Sequence, residues 1–448
     1  MKPVITRMPP SPTGHLHIGT ARTALFNYLF AKSQGGHMVL RSEDTDKARS
    51  TKEFEEEIIE GLQWLGLEWG NEQITRQSER QAVYKSYIEK ALVSGSFYIS
   101  KEESKKNPGE LVEVVRMKNP NKTITFTDLV RGEITFDTTE LGDIVVARSI
   151  DDALYHLTVV IDDHEMNITH VLRGEDHIPN TPRQILIQEA LGFQRPEYAH
   201  LPLILAPDRS KLSKRHGAVA LNEYRAEGFT KEAILNYLAL LGWNPGTEQE
   251  IFSLEELVQS FDLKHIQKGG AIFDRQKFLW INKEHLQKLS DEDYMAMTEV
   301  ALPDTIKNLP NYSTERLVKL LPTIKERVHL AAEITQAAND GEYDFAFTHP
   351  TPDPAKIAWK KDGSVVDSLP RLAKAIELLE SADFSSADTI KAALWDYAEE
   401  VGKGELLWPL RVSLTDRERS PDPFTVAYII GQEDTLLRLK KACDTIRE

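Results

Sequence analysis

The chain has 448 residues, and its 70 acidic against 54 basic side chains give a formal net charge of −16. That balance excludes indiscriminate nucleic-acid binding, which rests on phosphate neutralisation by Lys and Arg, and leaves room only for a local basic stripe. The single cysteine, Cys443, excludes an intrachain disulfide framework and a multi-cysteine zinc site, and it fits a reducing compartment. No apolar run approaches the roughly 18 residues of a membrane span. The opening residues read as a strand rather than a signal peptide, so a soluble, unprocessed, cytoplasmic protein is expected. The length exceeds what one hydrophobic core supports and predicts about three to five structural units.

Lys2 to Arg7 alternates apolar and polar residues, Pro9 to Gly14 breaks that strand, and Gly19 opens a helical pattern with Ala21, Ala24, Leu25, Tyr28 and Leu29 on one face. A second strand, His37 to Arg41, ends in Ser42-Glu43-Asp44-Thr45-Asp46. Its acidic side chains then stand beside the crevice at the carboxyl end of a parallel sheet. Ser50-Thr51-Lys52-Glu53 reads as a capping box before a helix that stops at Gly66, and Ser78-Glu79-Arg80-Gln81 as the cap of another that stops at Gly95. Lys101 to Asn121 is largely polar, after which Ile124 to Phe126, Ile134 to Phe136 and Ile144 to Ala147 read as short strands of an inserted α+β unit.

Strand-like alternation returns with Tyr155 to Ile161 and Ile168 to Leu172, a helix starts at Thr181-Pro182 and runs to Gly192, and His200 to Leu205 is predicted as the last core strand. From Ala220 onward nearly all signals are helical, with a capping box at Ser253-Leu254-Glu255-Glu256. The Pro-rich loop His349 to Pro354 is expected to divide the last helical region. The predicted fold is an α/β Rossmann-like catalytic domain with an inserted α+β unit, followed by all-α domains. Its expected boundaries are 1–80 and 150–219 for the two halves of the α/β domain, 81–149 for the insertion, and 220–290 and 291–448 for the helical domains.

Two stretches carry chemistry. His17-Ile18-Gly19-Thr20 sits at a loop-to-helix junction, where backbone N–H groups and the helix dipole favour a nucleotide phosphate and a glycine lets a base approach the backbone. Alone, a histidine there is more often a cap. Lys211-Leu212-Ser213-Lys214-Arg215 follows a strand, and its cations suit the negative charge that develops when a nucleophile attacks the α-phosphate of ATP. Alone, it reads as a solvated loop.

Together with Pro10-Ser11-Pro12-Thr13-Gly14, the pair resembles the two signatures of class I aminoacyl-tRNA synthetases. More closely, the chain resembles the glutamyl-tRNA synthetases of bacteria. The resemblance rests on Arg7, Gly19 to Tyr28, Arg41 to Asp46, Asp162-Asp163-His164, Arg173-Gly174-Glu175-Asp176-His177, Asn180 to Gln184, Asn236-Tyr237-Leu238, Leu241-Gly242-Trp243 and Phe273-Asp274. Similarity in Pro409-Leu410-Arg411 and Leu414-Thr415 carries it to the C-terminal domain.

The resemblance implies ATP-dependent attachment of L-glutamate to the 3′ end of glutamate tRNA through a glutamyl-adenylate. It makes the insertion an acceptor-binding unit and the helical domains stem-contact and anticodon-binding. A glutamate has two carboxylates and one ammonium, which calls for about two arginines and one carboxylate; Arg7, Arg173 and Glu43 fit that count. By resemblance Glu43 holds the α-ammonium, Arg7 and Arg173 the carboxylates, and Ser11 and Tyr155 complete the wall. Glu43 could instead be the ion-pair partner of Arg41, and Tyr155 a core aromatic. The resemblance assigns catalysis to His17, Lys211 and Lys214. It assigns ATP to Ser11, Thr13, His17, Gly19 and Lys214, with Asp176 and the Ile204 backbone near the adenosine. Mg²⁺ is expected to arrive with ATP. Zinc is not expected, since relatives that carry it use cysteines in the insertion.

For tRNA, Arg116 and Lys118 align with a segment near the acceptor end, although the stretch from Phe97 to Val115 is shorter than in the family. Lys319, Lys325 and Arg327 share one predicted helical segment, and Arg327 aligns with a position that reads the last anticodon base; it could equally be a solvated surface arginine. Asp416 stands where a glycine is common, which implies a different local turn. A monomer is expected. Glutaminyl-tRNA synthetases carry Glu-Pro-Asn-Gly in place of Ser11 to Gly14 and end in β-barrels. A non-discriminating enzyme that also charges glutamine tRNA remains an alternative. So does an inactive RNA-binding paralogue, which should have lost ATP-contacting residues that are present here.

Overall fold

In the computed structural model, which describes residues 3–103, 107, 109–213, 215 and 220–448, strand β1 (Ile5–Met8) leads into helix α1 (Ile18–Ser33) and strand β2 (His37–Ser42). Helix α2 (Lys52–Trp64), strand β3 (Thr75–Arg76) and helix α3 (Gln81–Ser94) follow. Strands β4 (Phe97–Glu103), β5 (Leu111–Met117), β6 (Thr123–Asp128), β7 (Gly132–Asp137), β8 (Ile144–Ser149) and β9 (Asp152–Ala153) make up the middle of the chain. Helix α4 (Tyr155–Glu165), strand β10 (His170–Gly174), helix α5 (Thr181–Leu191), strand β11 (Glu197–Leu201) and strand β12 (Ile204–Leu205) complete the α/β part.

β1 pairs in parallel with β2, and β2 with β3. On its other side β1 meets the residue before β10: the Thr169 amide donates to the Ile5 carbonyl at 3.0 Å, and Thr169 Oγ1 accepts the Ile5 amide at 2.8 Å. β10 then pairs in parallel with β11. The order of strands therefore reverses between β1 and β10, and the carboxyl ends of those two strands frame the crevice where an open parallel sheet binds ligands. α1 runs against both strands. Its Asn27 accepts Thr6 Oγ1 on the backbone at 2.9 Å and donates from Nδ2 to the Leu172 carbonyl at 3.1 Å. Ala21, Ala24, Leu25, Phe26 and Leu29 are fully buried, so α1 is a central rather than a surface helix.

Strands β4, β5, β8 and β9 form one antiparallel sheet, whereas the β6–β7 hairpin joins the main sheet through the pairing of Asp128 with Tyr198 in β11. Beyond β12 come helices α6 (Leu221–Glu227), α7 (Lys231–Leu240) and α8 (Leu254–Ser260) and the short strand β13 (Ala271–Ile272), which pairs in parallel with β12. The chain divides into two compact units, Met1–His285 and Leu286–Glu448. The second is all-helical, from Asp291–Ala301 to Gln432–Arg447, around a cluster that includes Leu317, Ile324, Phe347, Leu372, Leu394 and Leu439.

Several expectations change. Tyr155 to Ile161 is helical, not extended: Leu157, Thr158, Val159, Val160, Ile161, Asp162 and Asp163 are all buried, so the helix shows no polar face and its β-branched run mimics a strand. His200 to Leu205 is two strands, because Pro202 has no N–H for a ladder. Within the polar stretch after Lys101, β5 pairs with β4 along its whole length. Thr51, not Ser50, caps α2, and its hydroxyl accepts the Phe54 amide at 3.3 Å. Ser78 caps no helix; its amide and hydroxyl both donate to Asp44. The Pro-rich loop does not divide the helical unit, since Phe347 before it and Leu372 after it belong to one core. Asp416 takes the left-handed cap conformation itself (φ 52°), as a glycine would, and its carboxylate accepts the Asp353 amide at 3.0 Å. Capping by Gly95 and Gly192 and the box at Ser253 are as expected.

The turn from α1 to β2 sets the height of both strands. Gly35 is left-handed there, and a Cβ on Gly36 would lie 1.8 Å from the Val4 carbonyl oxygen. Gly36→Ala should therefore lower stability by about 3 kcal/mol, the scale of a core backbone clash, read as an earlier unfolding transition of the first unit in urea.

Candidate active site

β1, β2 and β10 each deliver an arginine toward the crevice. Arg7, Arg41 and Arg173 are 2%, 0% and 6% exposed, so each must find partners inside. Arg41 donates from Nη1 to Asp163 Oδ1 at 2.7 Å and from Nη2 to Glu43 Oε1 at 3.0 Å. Arg7 donates from Nε to the same Asp163 oxygen at 3.3 Å and from Nη1 to the Leu172 carbonyl at 3.4 Å. Burial alone would raise the Asp163 carboxyl, but the Arg41 and Arg7 guanidiniums outweigh it and hold the group below its ordinary range. Glu43 goes the other way: burial pushes its carboxyl up against the pull of Arg41 and Arg7. Glu43 is thus both the partner of Arg41 and a cavity-lining carboxylate that gains from a further cation.

Arg173 has no carboxylate against it. Its Nη1 donates to Gln184 Oε1 at 2.7 Å, its Nη2 to Thr181 Oγ1 at 2.7 Å and its Nε to His200 Nε2 at 3.2 Å. Burial pulls this guanidinium below its ordinary value. Such a cation is poised to take an anion from the cavity, where the pairing is undiluted by solvent.

On the other side of the crevice, no side chain of His17 caps α1, whose first turn opens into the same cavity. A Cβ on Gly19 would meet no atom of the described residues within 4 Å, so this turn of α1 faces open space in the cavity. The Lys211 loop is fastened to β12: the Leu212 amide donates to the Ile204 carbonyl at 3.0 Å, and Lys211 Nζ donates to Asp176 Oδ2 at 3.0 Å. Burial would raise Asp176, but the Lys211 hydrogen bond and charge hold it low. One cavity of about 790 Å³ is lined by Arg7, Ser11, Thr13, His17, Gly19 and Glu43, and also by Tyr155, Arg173, Asp176, Ile204 and Lys211. Two signatures almost two hundred residues apart thus share a wall with the arginine cluster. Lys214 lies outside the described residues.

The comparisons agree along the whole chain. The family model described as tRNA synthetases class I (E and Q), catalytic domain, matches residues 3–107 and 99–280, and an anticodon binding domain matches residues 284–443. A glutamate–tRNA ligase of Thermodesulfovibrio yellowstonii is 38% identical over 98% of this chain and 99% of its own length. The chain belongs to the glutamate–tRNA ligase family. Another member, from Aquifex aeolicus, is 47% identical over 68% of this chain and 70% of its own. A crystal structure of a glutamate tRNA ligase from Elizabethkingia meningosepticum, in complex with its amino acid, superposes with a TM-score of 0.85 at 33% identity, covering 99% of this chain and all of that one.

The cations expected to meet tRNA are mostly paired with carboxylates within their own unit. Arg116 donates to both oxygens of Glu102, at 3.0 and 2.9 Å, while Lys118 is exposed. Lys319, Lys325 and Arg327 do share one helix, Thr314–Arg327. Lys319 pairs with Glu315 at 2.9 Å, Lys325 with Asp291 at 2.6 Å, and Arg327 faces Glu342 at 3.9 Å, so each already has a carboxylate nearby. At 100° per residue they do not form a single face.

Sequence reasoning missed Asp163 as the hub and Arg22 as a lining residue. Arg22 is buried in α1, donates from Nη1 to the Leu241 carbonyl at 3.1 Å and from Nη2 to the Pro202 carbonyl, and leaves Nε without a partner among the described residues. Burial, against the field of Glu175, pulls it down to about 10. The signal was available: a cation amid the apolar face of a helix needs a reason. In this glutamate–tRNA ligase family member, Asp163→Asn should cost about 3 kcal/mol at neutral pH by stranding two guanidiniums. A depressed folded-state carboxyl stabilises above its ordinary 3.8, and that contribution is lost as pH falls further. The gap between variant and parent, measured by urea unfolding, should therefore be full at pH 7 and shrink below that value.

Proposed function

We infer that the chain attaches L-glutamate to the 3′ end of glutamate tRNA in two steps, activation by ATP and transfer to the terminal ribose. The observation that supports this most is the single cavity in which the arginine cluster and both signature loops meet. On this reading Arg7 and Arg173 bind the two carboxylates of the amino acid, Glu43 its ammonium, and Ser11 and Tyr155 the wall between them. Burial pushes the Tyr155 phenol up to about 12, so it stays a neutral hydrogen-bonding group. ATP lies along the α1 N-terminus, with Ser11, Thr13, His17 and Gly19 at its phosphates and Asp176 and the Ile204 backbone toward the adenosine.

The substrate carboxylate attacks the α-phosphate in line, pyrophosphate leaves, and Lys211 and Lys214 with His17 stabilise the developing charge; the ribose hydroxyl then attacks the acyl carbon. No protein nucleophile is needed, and the enzyme contributes position and field. Lys211 must exchange Asp176 for phosphate in this scheme, and that pair is at the surface, where such exchanges cost little. We assign residues 1–80 and 150–219 to catalysis, 81–149 to the acceptor end, 220–290 to the stem and 291–448 to the anticodon. Arg116, Lys118, Lys319, Lys325 and Arg327 would act on tRNA by trading their carboxylate partners for phosphates. Mg²⁺ enters with ATP, zinc is not used, and the enzyme works as a cytoplasmic monomer.

The test is charging of purified glutamate and glutamine tRNAs with radiolabelled glutamate. Product on glutamate tRNA alone defines a discriminating enzyme, product on both a non-discriminating one, and product on neither overturns the reading. Lys214→Ala should abolish most ATP–pyrophosphate exchange while leaving tRNA binding intact; equal loss of both would remove Lys214 from catalysis. Arg173→Ala should weaken glutamate use by about 2–3 kcal/mol, the scale of one lost charged hydrogen bond, seen in kcat/KM for glutamate.

A further inference from the structure

Behind Arg173 stands a pair of side chains that belongs to none of the signatures. Asp128 ends β6 and is 2% exposed, and His200 in β11 is completely buried. Asp128 Oδ1 accepts the amides of Val130 at 3.0 Å and Arg131 at 2.8 Å, which folds the turn into β7. Asp128 Oδ2 accepts the His200 amide at 3.0 Å and lies 2.6 Å from His200 Nδ1. The other ring nitrogen, Nε2, is 3.2 Å from Arg173 Nε and 3.2 Å from Thr181 Oγ1.

Only one proton arrangement satisfies these contacts. Arg173 Nε–H can only donate, so His200 Nε2 must be bare. The imidazole proton therefore sits on Nδ1 and is donated to Asp128. Burial and the nearby Arg173 charge hold His200 below its ordinary value against the pull of Asp128, which keeps the ring neutral. The guanidinium then commits three of its five N–H groups, one each to His200, Thr181 and Gln184, and keeps one on each terminal nitrogen.

We propose that Asp128 and His200 are positioning residues for Arg173: the locked imidazole fixes the plane of the guanidinium so that its two remaining N–H groups meet a substrate carboxylate as a fork. A carboxylate placed directly on Arg173 would compete with the substrate. A neutral imidazole interposed between Asp128 and Arg173 orients the cation and leaves its charge for the ligand. Charged donors whose other hydrogens are already engaged favour a carboxylate, which offers one oxygen to each N–H of the fork, over a carboxamide, whose second group is an NH₂ donor. The inference rests on the reading of Arg173 as a glutamate-binding residue.

The experiment is ATP–pyrophosphate exchange by the full chain with glutamate tRNA present, varying glutamate and ATP separately. Asp128→Asn keeps an oxygen for the turn amides but turns an NH₂ toward the His200 amide and Nδ1; the lost acceptor moves the imidazole proton to Nε2, against Arg173 Nε–H. The KM for glutamate should rise roughly tenfold or more, the scale for losing a group that orients a ligating side chain, with the KM for ATP nearly unchanged. NMR of ¹⁵N-histidine-labelled protein should show the Nδ1–H tautomer in the parent and Nε2–H in the variant. His200→Gln, whose oxygen can accept from Arg173, should be impaired less than His200→Ala. Arg173→Ala is the control for the underlying reading: if it leaves glutamate kinetics unchanged, Arg173 does not hold the substrate. If Arg173→Ala raises the glutamate KM and Asp128→Asn does not, or the parent carries the Nε2–H tautomer, the positioning role is overturned. Equal rises in both KM values, or equal losses in the Gln and Ala variants, would reduce the pair to structural support and overturn it as well.

Discussion

The site depends on one buried carboxylate. Asp163 projects from α4 to the point where the guanidiniums of Arg7 on β1 and Arg41 on β2 converge, and without its charge neither arginine could stay under the sheet surface. The placement of both arginines follows from that contact. Arg41, held at both terminal nitrogens by Asp163 and Glu43, acts as scaffold, while Arg7 lines the cavity. The neighbouring Asp162 is engaged on the far side, by Arg80 at 2.7 Å, Gln77 at 2.8 Å and Tyr84 at 2.9 Å, so α4 is fixed from two directions by adjacent acids.

The fold supplies this arrangement at its switch point. β1 and β10 lie side by side, with β2 beyond the one and β11 beyond the other, and the crevice at this reversal receives side chains from both halves of the sheet. The two cavity-facing arginines are treated differently there. Arg7 shares a carboxylate with Arg41, whereas Arg173 rests on neutral acceptors and retains its full charge. On the opposite wall backbone and an exchangeable ion pair replace the buried cluster: the open first turn of α1, the β12 carbonyl that anchors the Lys211 loop, and the Lys211–Asp176 pair.

Much of this was legible in the sequence, for stated reasons. Motifs whose spacing is dictated by backbone geometry, such as the loop into α1 and the loop after β12, led to residues that line one cavity. So did the acidic element after β2. What failed was periodicity in the interior. α4 is buried on every side, so its Val159-Val160-Ile161 run carried no helical signature, and the acids that follow it gave no sign of being a hub. Asp128 and His200 were invisible because nothing local marks them: they meet only after β6 and β11 pair, 72 residues apart. The ion pairs of Lys325 and Arg327 were unreadable for the same reason, since Asp291 and Glu342 lie on other segments, whereas the Lys319–Glu315 pair is local to one helix.

The distance along the chain between Arg41 and Asp163, 122 residues, also bears on how the protein is made. At about 5–20 residues per second, a ribosome needs roughly 6 to 25 seconds to produce the acid after the arginine has emerged. Throughout that interval β1 and β2 present two arginines with only Glu43 to offset them, and one half of a parallel sheet. Neither can bury its charges, because the helix that neutralises them has not been synthesised. The arginine cluster thus becomes self-consistent only once α4 has been made, and the nascent first half is the stage at which this chain is most exposed to mispairing.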